Sequence, residues 1–81
     1  MVVKVLYFAS FRERAGRDEE LRTLPEGVRV GELWETLARE VPALAAFGTT
    51  PPAAVNREYV AAGTRLREGD EVAFLPPVAG G

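Results

Sequence analysis

Two glycines, Gly80 and Gly81, end the sequence, and they have the clearest chemical use in it. A carboxylate at a chain end can be activated by ATP if another protein holds it beside a nucleotide. The approach to that carboxylate has to be slender. Glycines carry no Cβ, so they enter a channel too narrow for any other residue. Pro76 and Pro77 stand upstream, followed by Val78 and Ala79. A proline pair cannot extend a central ladder and holds the stem extended, away from a sheet. The six residues 76–81 span at most ~20 Å when extended, enough to bring Gly81 into a site buried in a partner.

The remaining residues offer little chemistry of their own. The 81 residues include no cysteine and no histidine. Disulfides and thiolate metal sites are excluded, and the usual nucleophile, general base and zinc ligand are all missing. No metal site is expected. A free-standing enzyme would need a pair of carboxylates. Glu19 with Glu20, and Asp70 with Glu71, are strand neighbours that point to opposite faces. Ten basic and twelve acidic residues are interspersed, for a net charge of -2. That leaves no basic footprint for nucleic acid or for a membrane surface. No apolar run reaches membrane-spanning length. Met1 leads straight into a strand-like run, not a signal peptide, so a cytoplasmic location is the expectation.

The elements that must position the tail can be read from periodicity. The length suits one domain with a modest core, burying a little over ~60% of its unfolded-chain surface. Residues 2–8 are β-rich and predict a strand. Ser10 is expected to open a short helix through a capping box with Glu13, and Gly16 to stop it. Residues 19–24 read as a weak strand, followed by a turn at Pro25, Glu26 and Gly27. Val30, Leu33, Trp34, Leu37, Ala38 and Val41 form one apolar stripe, which predicts a main helix over residues 31–41 ended by Pro42. Trp34 belongs to that stripe and reads as core. The helix start is weakly capped, with Arg29 and Gly31 where Ser, Thr or Asp would serve better. Residues 42–52 read as a loop. Two short strands, 53–56 and 59–61, flank a turn at Arg57 and Glu58, which Asn56 suits by tolerating unusual backbone angles. Residues 71–75 are the last strand. The order predicts an α+β layer, a mixed sheet packed against one main helix, with a domain over residues 1–75 and a tail over 76–81.

Period-two alternation also places side chains by face. Lys4, Leu6 and Phe8 share one face of the first strand, and Glu71, Ala73 and Leu75 share one face of the last. The lysine and glutamate mark the solvent side. Phe8 and Leu75 then form an apolar patch at the root of the tail, the kind of surface that receives a protein partner. Arg12, Arg14 and Arg17 gather around the first helix, where they could steer an acidic partner.

The closing stretch, Gly69-Asp70-Glu71-Val72-Ala73-Phe74-Leu75-Pro76-Pro77-Val78-Ala79-Gly80-Gly81, resembles the C-terminus of the MoaD family, the small subunits of molybdopterin synthase. Val3-Lys4-Val5-Leu6-Tyr7-Phe8-Ala9 with Arg12-Glu13 looks like that family's N-terminus, and Ala54-Val55-Asn56 its central strand. The resemblance implies a β-grasp, ubiquitin-like fold. It also implies a sulfur-carrier role, in which Gly81 is the site of chemistry and Gly80 the narrow neck of the tail. A MoeB-like enzyme would use ATP and magnesium to adenylate Gly81, and a persulfide donor would convert it to a thiocarboxylate. A MoaE-like large subunit would take in the tail and pass the sulfur to cyclic pyranopterin monophosphate. Two charged carriers serve each product, so a heterotetramer is implied. Phe8, Tyr59 and Leu75 match apolar contact positions of the family. No cofactor is expected on this chain, and the catalytic residues are expected in the large subunit.

Three other readings stay open on the sequence. A ThiS-like carrier, or one serving tRNA thiolation, shares the tail and the activation step and differs in the acceptor. The Phe-Leu-Pro-Pro-Val stem favours molybdopterin. A protein modifier, with Gly81 joined to a lysine, has no separate support. A β-grasp interaction module with an inert tail predicts that deleting Gly80 and Gly81 changes nothing.

Overall fold

A computed structural model describes residues 1–46 and 48–76. Alternation builds its first strand. β1, Val2–Tyr7, buries Val3, Val5 and Tyr7 and leaves Val2, Lys4 and Leu6 on the opposite face. It is followed by α1 (Ala9–Ala15), β2 (Glu19–Thr23), α2 (Val30–Glu40), α3 (Pro42–Ala45), β3 (Ala53–Val55), β4 (Glu58–Val60) and β5 (Glu71–Phe74). The five strands form one sheet in the order β2-β1-β5-β3-β4. The central pair, β1 and β5, is parallel, and every other pairing is antiparallel. A mixed sheet holding one main helix on one face is the β-grasp arrangement that the resemblance implies.

The core lies between that sheet and α2. The helix buries Val30, Leu33, Trp34 and Leu37, the stripe set by its 3.6-residue period. Trp34 is packed between Phe11 of α1 and Phe74 of β5, with ring centroids 5.1 Å away on each side and tilts of 44° and 51°. Such pairs contribute about 0.5–1.5 kcal/mol each beyond the area they bury. These three rings tie both helices to the sheet. Trp34 is therefore a core residue.

Local details depart from the sequence expectation in four places. First, α1 starts at Ala9, so Ser10 is already inside the helix and no side chain caps it. Phe8 is the N-cap, its carbonyl accepting from the Phe11 and Arg12 amides at 3.0 and 3.3 Å. Gly16 does stop the helix, in a left-handed conformation at φ 75°. Second, α2 starts at Val30 and ends at Glu40. The guanidinium of Arg29 has no acceptor to offer, but the Glu32 carboxylate takes the Arg29 amide at 2.9 Å. The next two amides, of Val30 and Gly31, donate to the carbonyls of Thr64 and Ala62 at 2.9 and 2.8 Å. A weak local cap is thus offset by carbonyls from a distant loop. Third, Pro42 opens α3, with Leu44 buried beneath it. Proline suits a first helical position because its missing N–H would be unpaired there.

The fourth departure concerns the β3–β4 hairpin, whose turn lies one residue earlier than expected. Asn56 and Arg57 are its two central residues, both left-handed, at φ 50° and 73°. Two positive φ angles in a two-residue loop match the twist of the flanking strands, and the sequence best suited is Asn-Gly. Arginine at the second position costs about 1 kcal/mol in backbone strain. The Asn56 side chain locks this turn to the start of β5. Its amide donates to Asp70 Oδ1 at 2.9 Å and its carbonyl accepts the Glu71 amide at 3.0 Å.

Candidate functional site

Cross-strand register lines up a row of residues on the sheet face that α2 does not cover. Leu6 pairs with Ala73, Ala73 with Ala54, and Ala54 with Tyr59. Paired residues point to the same face. The two alanines in the middle are short, so the surface sinks between their taller neighbours. The result is a groove of about 340 Å³ lined by Leu6, Phe8, Ala54, Arg57, Glu71, Ala73 and Leu75.

The walls of the groove come from two places where a strand ends. β1 stops at Tyr7, and Phe8 stays extended at φ -120° and ψ 152°. Ala9 then takes a left-handed φ of 48°, an unusual conformation for a residue with a Cβ. That turn sends the chain into α1 and leaves the Phe8 ring outside, 45% exposed. At the other wall, β5 stops at Phe74, and the Leu75 amide donates to the Pro52 carbonyl at 2.9 Å. Leu75 and Pro76 are half-buried.

The candidate residues therefore divide. Phe8 and Leu75 meet in one groove. Tyr59 lies on the same face, 76% exposed, one strand beyond the groove floor. Arg12 does not line the groove; its side chain is exposed and pairs with Asp18 at 3.7 Å. Arg17 is likewise engaged, with Glu20 at 2.6 Å, and Arg14 donates to the Ala43 carbonyl at 2.9 Å. The arginines around α1 serve internal contacts first. Pro77, Val78, Ala79, Gly80 and Gly81 lie outside the described residues. Sequence reasoning missed the alanine floor and assigned Arg57 to the turn alone. Period two applied to residues 53–55 could have put Ala54 on the outer face, but only the register shows it beside Ala73.

The charged groups cluster elsewhere. On the helix-covered side, Tyr7, Arg17, Glu20, Arg22 and Glu40 share a hollow of about 270 Å³. Arg22 grips Glu40 through two bonds of 2.6 Å and reaches Glu20 at 3.3 Å. The Glu40 carboxyl is held below the usual range by the Arg22 hydrogen bond. Burial, then the nearby Glu20 carboxylate, pushes the Tyr7 hydroxyl above its ordinary range. Each charge in this hollow has an internal partner, so it reads as structural. Another hollow, about 550 Å³, lies along α2 between Trp34 and Thr50, with Glu35 and Arg39 as the charged residues among its described lining. Among the described residues no group of three or more acidic side chains is placed to hold a metal ion. No helix among them is long and apolar enough to cross a membrane.

Known proteins share this architecture over its full extent. The Pyrococcus furiosus putative molybdopterin converting factor, subunit 1, superposes with a TM-score of 0.85 at 38% identity, over 96% of this chain and 99% of that one. The SAMP1 crystal structure from Haloferax volcanii gives 0.85 at 26% identity over the whole of both chains. In sequence, the molybdopterin synthase sulfur carrier subunit of Chlamydomonas reinhardtii is 41% identical over 83 residues, covering all of both chains. The match to the ThiS family runs over residues 5–81, from the middle of β1 to the last glycine, and this chain is a member of the ThiS family.

Proposed function

We propose that this chain is the sulfur carrier subunit of a molybdopterin synthase. The observation that carries the reading is the likeness to molybdopterin synthase sulfur carrier subunits along the entire chain, at 41% identity in one case. The groove at the root of the tail supports it. Its apolar walls, Phe8 and Leu75, offer a large subunit a surface to rest on while the stem from Pro76 to Gly81 reaches inward.

The chemistry belongs to Gly81. Its carboxylate attacks the α-phosphate of ATP, releasing pyrophosphate and forming an acyl-adenylate in a MoeB-like partner. The sulfane sulfur of a persulfide then attacks the acyl carbon and expels AMP. A thiol cleaves the resulting S–S bond, leaving a thiocarboxylate at Gly81. In a MoaE-like large subunit that sulfur passes to cyclic pyranopterin monophosphate, and water returns Gly81 to a carboxylate. A dithiolene needs two sulfurs, so two carriers serve each product, and a heterotetramer of two small and two large subunits is the natural assembly. This chain supplies the substrate carboxylate, a narrow stem and a docking face. Acid-base catalysis and metal-bound ATP fall to its partners, in keeping with the absence of histidine and cysteine.

The test is the intact mass after incubation with a MoeB-like enzyme, ATP, magnesium and a persulfide donor. The expected result is replacement of one oxygen by sulfur, mapped to Gly81 and lost on addition of the large subunit and precursor. An unchanged mass, with an activating enzyme proven on its own carrier, would overturn the reading.

A further inference from the structure

The rim of the outer groove holds a cation whose placement neither packing nor folding explains. Arg57 lines the same groove as Phe8 and Leu75, at the end where β5 begins. Its side chain is exposed, and among the described residues it makes no hydrogen bond or ion pair. Glu71 lines the same groove, yet no salt bridge joins the two. Arg12, Arg17 and Arg22 pair with acids of the chain; Arg29, Arg65 and Arg67 form no such pair among the described residues either, but they do not line the groove. Arg57 also occupies the second position of a turn that glycine would fill without strain, at φ 73°. A strained backbone carrying an unpaired charge, at the mouth of an apolar groove, is a combination that function more often retains than stability.

We propose that Arg57 is a specificity-determining contact, which receives a carboxylate of the large subunit that docks on this groove. An apolar side chain of that subunit fills the hollow between Phe8 and Leu75, and an Asp or Glu beside it meets the guanidinium. The inference rests on the carrier reading above. Arginine suits the role because its planar fork binds a carboxylate through two parallel bonds and fixes one orientation. The orientation matters here. Apolar contact is non-directional and tolerates rotation of whatever lies in the groove, while the carrier reading needs the residues after Pro76 to reach one acceptor site. A single directional charge contact at the groove's far rim removes that freedom. The turn is a rigid mount for it, since Asn56 bonds both Asp70 and the Glu71 amide.

The experiment compares wild type, Arg57→Gly and Arg57→Glu, measuring thermal unfolding and calorimetric affinity for the large molybdopterin synthase subunit at low and high salt. Arg57→Gly should relieve the turn and raise Tm by about 4 °C, while weakening binding roughly tenfold. Arg57→Glu should weaken it roughly a hundredfold, with the salt dependence reversed in sign. A more stable variant that binds less well cannot be explained by lost folding. Wild-type affinity in Arg57→Gly overturns this inference and leaves the carrier reading standing. Absence of binding by the wild-type chain overturns both.

Discussion

Arg22 and Arg57 belong to opposite faces of one five-stranded sheet. Arg22 stands on the face covered by α2, largely withdrawn from water, and bonds Glu40 twice at 2.6 Å. Arg57 rims the uncovered face and bonds nothing among the described residues. Aromatic residues divide the same way: Phe74 is fully buried against Trp34, whereas Phe8 is 45% exposed. A charge taken out of water must be paired where it sits, so Arg22 and Glu40 report on stability. A charge or ring left in water on an otherwise regular sheet stabilises nothing by itself. The helix-covered face holds the fold together, and the uncovered face remains available for docking.

The sharpest way to break this division is to truncate one phenylalanine on each face. Phe74→Ala removes a fully buried ring from the core and should cost about 3–5 kcal/mol. That is a large share of the ~5–15 kcal/mol typical of a whole domain. Denaturant unfolding would show the midpoint collapse with the slope preserved. Phe8→Ala should cost less than about 1 kcal/mol, yet reduce affinity for the large subunit at least tenfold or so. Equal stability losses in the two variants would mean that Phe8 is a core residue, and the docking role would fall.

A smaller effect is expected at the paired arginine. Arg22→Met keeps the stem of the side chain and removes its two bonds to Glu40. Because Glu40 is about half exposed, solvent screening limits the loss to roughly 1 kcal/mol. Acid makes the test specific. The Glu40 carboxyl titrates below its unfolded value because Arg22 bonds its charged form. The stability this gives is fully present above the unfolded value, near about pH 4.3, and is lost as pH falls through the lower folded value. In Arg22→Met that contribution disappears, so stability should fall less steeply from pH 5 to pH 3 than in wild type. An unchanged slope would show that the pair is not coupled to folding.

Sequence periodicity carried most of the fold for a physical reason. Val3, Val5 and Tyr7 alternate with Lys4 and Leu6, and Val30, Leu33, Trp34 and Leu37 recur at helical spacing. Both patterns are local, so they can be read without knowing any partner strand. Phe8 and Leu75 were placed on the outer face by the same alternation. What stayed hidden depends on contacts between distant segments. The groove floor exists because Ala54 pairs with Ala73, nineteen positions apart in number but adjacent in the sheet. The start of α2 is held by the carbonyls of Ala62 and Thr64, which no capping rule anticipates. The one-residue error at the hairpin had a wider consequence. Moving the turn from Arg57 and Glu58 to Asn56 and Arg57 is what sets the arginine on the groove rim, with φ 73°. Ser10 shows the opposite failure, since a good local motif lost to the geometry of the β1–α1 junction, where Phe8 became the cap.

The smallest expected effect bears on how far the docking face extends. Leu21 is 70% exposed and pairs with Lys4 across the β1–β2 register, so it shares the outer face with Leu6. Yet it lies on the edge strand beyond β1, on the side away from β5 and β3, and it does not line the groove. If docking centres on the groove, Leu21→Thr should leave stability within about 0.5 kcal/mol and affinity for the large subunit unchanged, because threonine is also a good strand residue. A tenfold loss of affinity would instead mean that the footprint crosses β1 and takes in the whole uncovered face. The contact would then resemble one broad apolar interface, and Phe8, Leu21 and Tyr59 would count equally. A null result, beside a strong effect at Phe8, would confine the partner to the half of the sheet that holds β5 and Leu75. The uncovered face would then divide in two, with only the half carrying the alanine floor and Arg57 shaped for a partner.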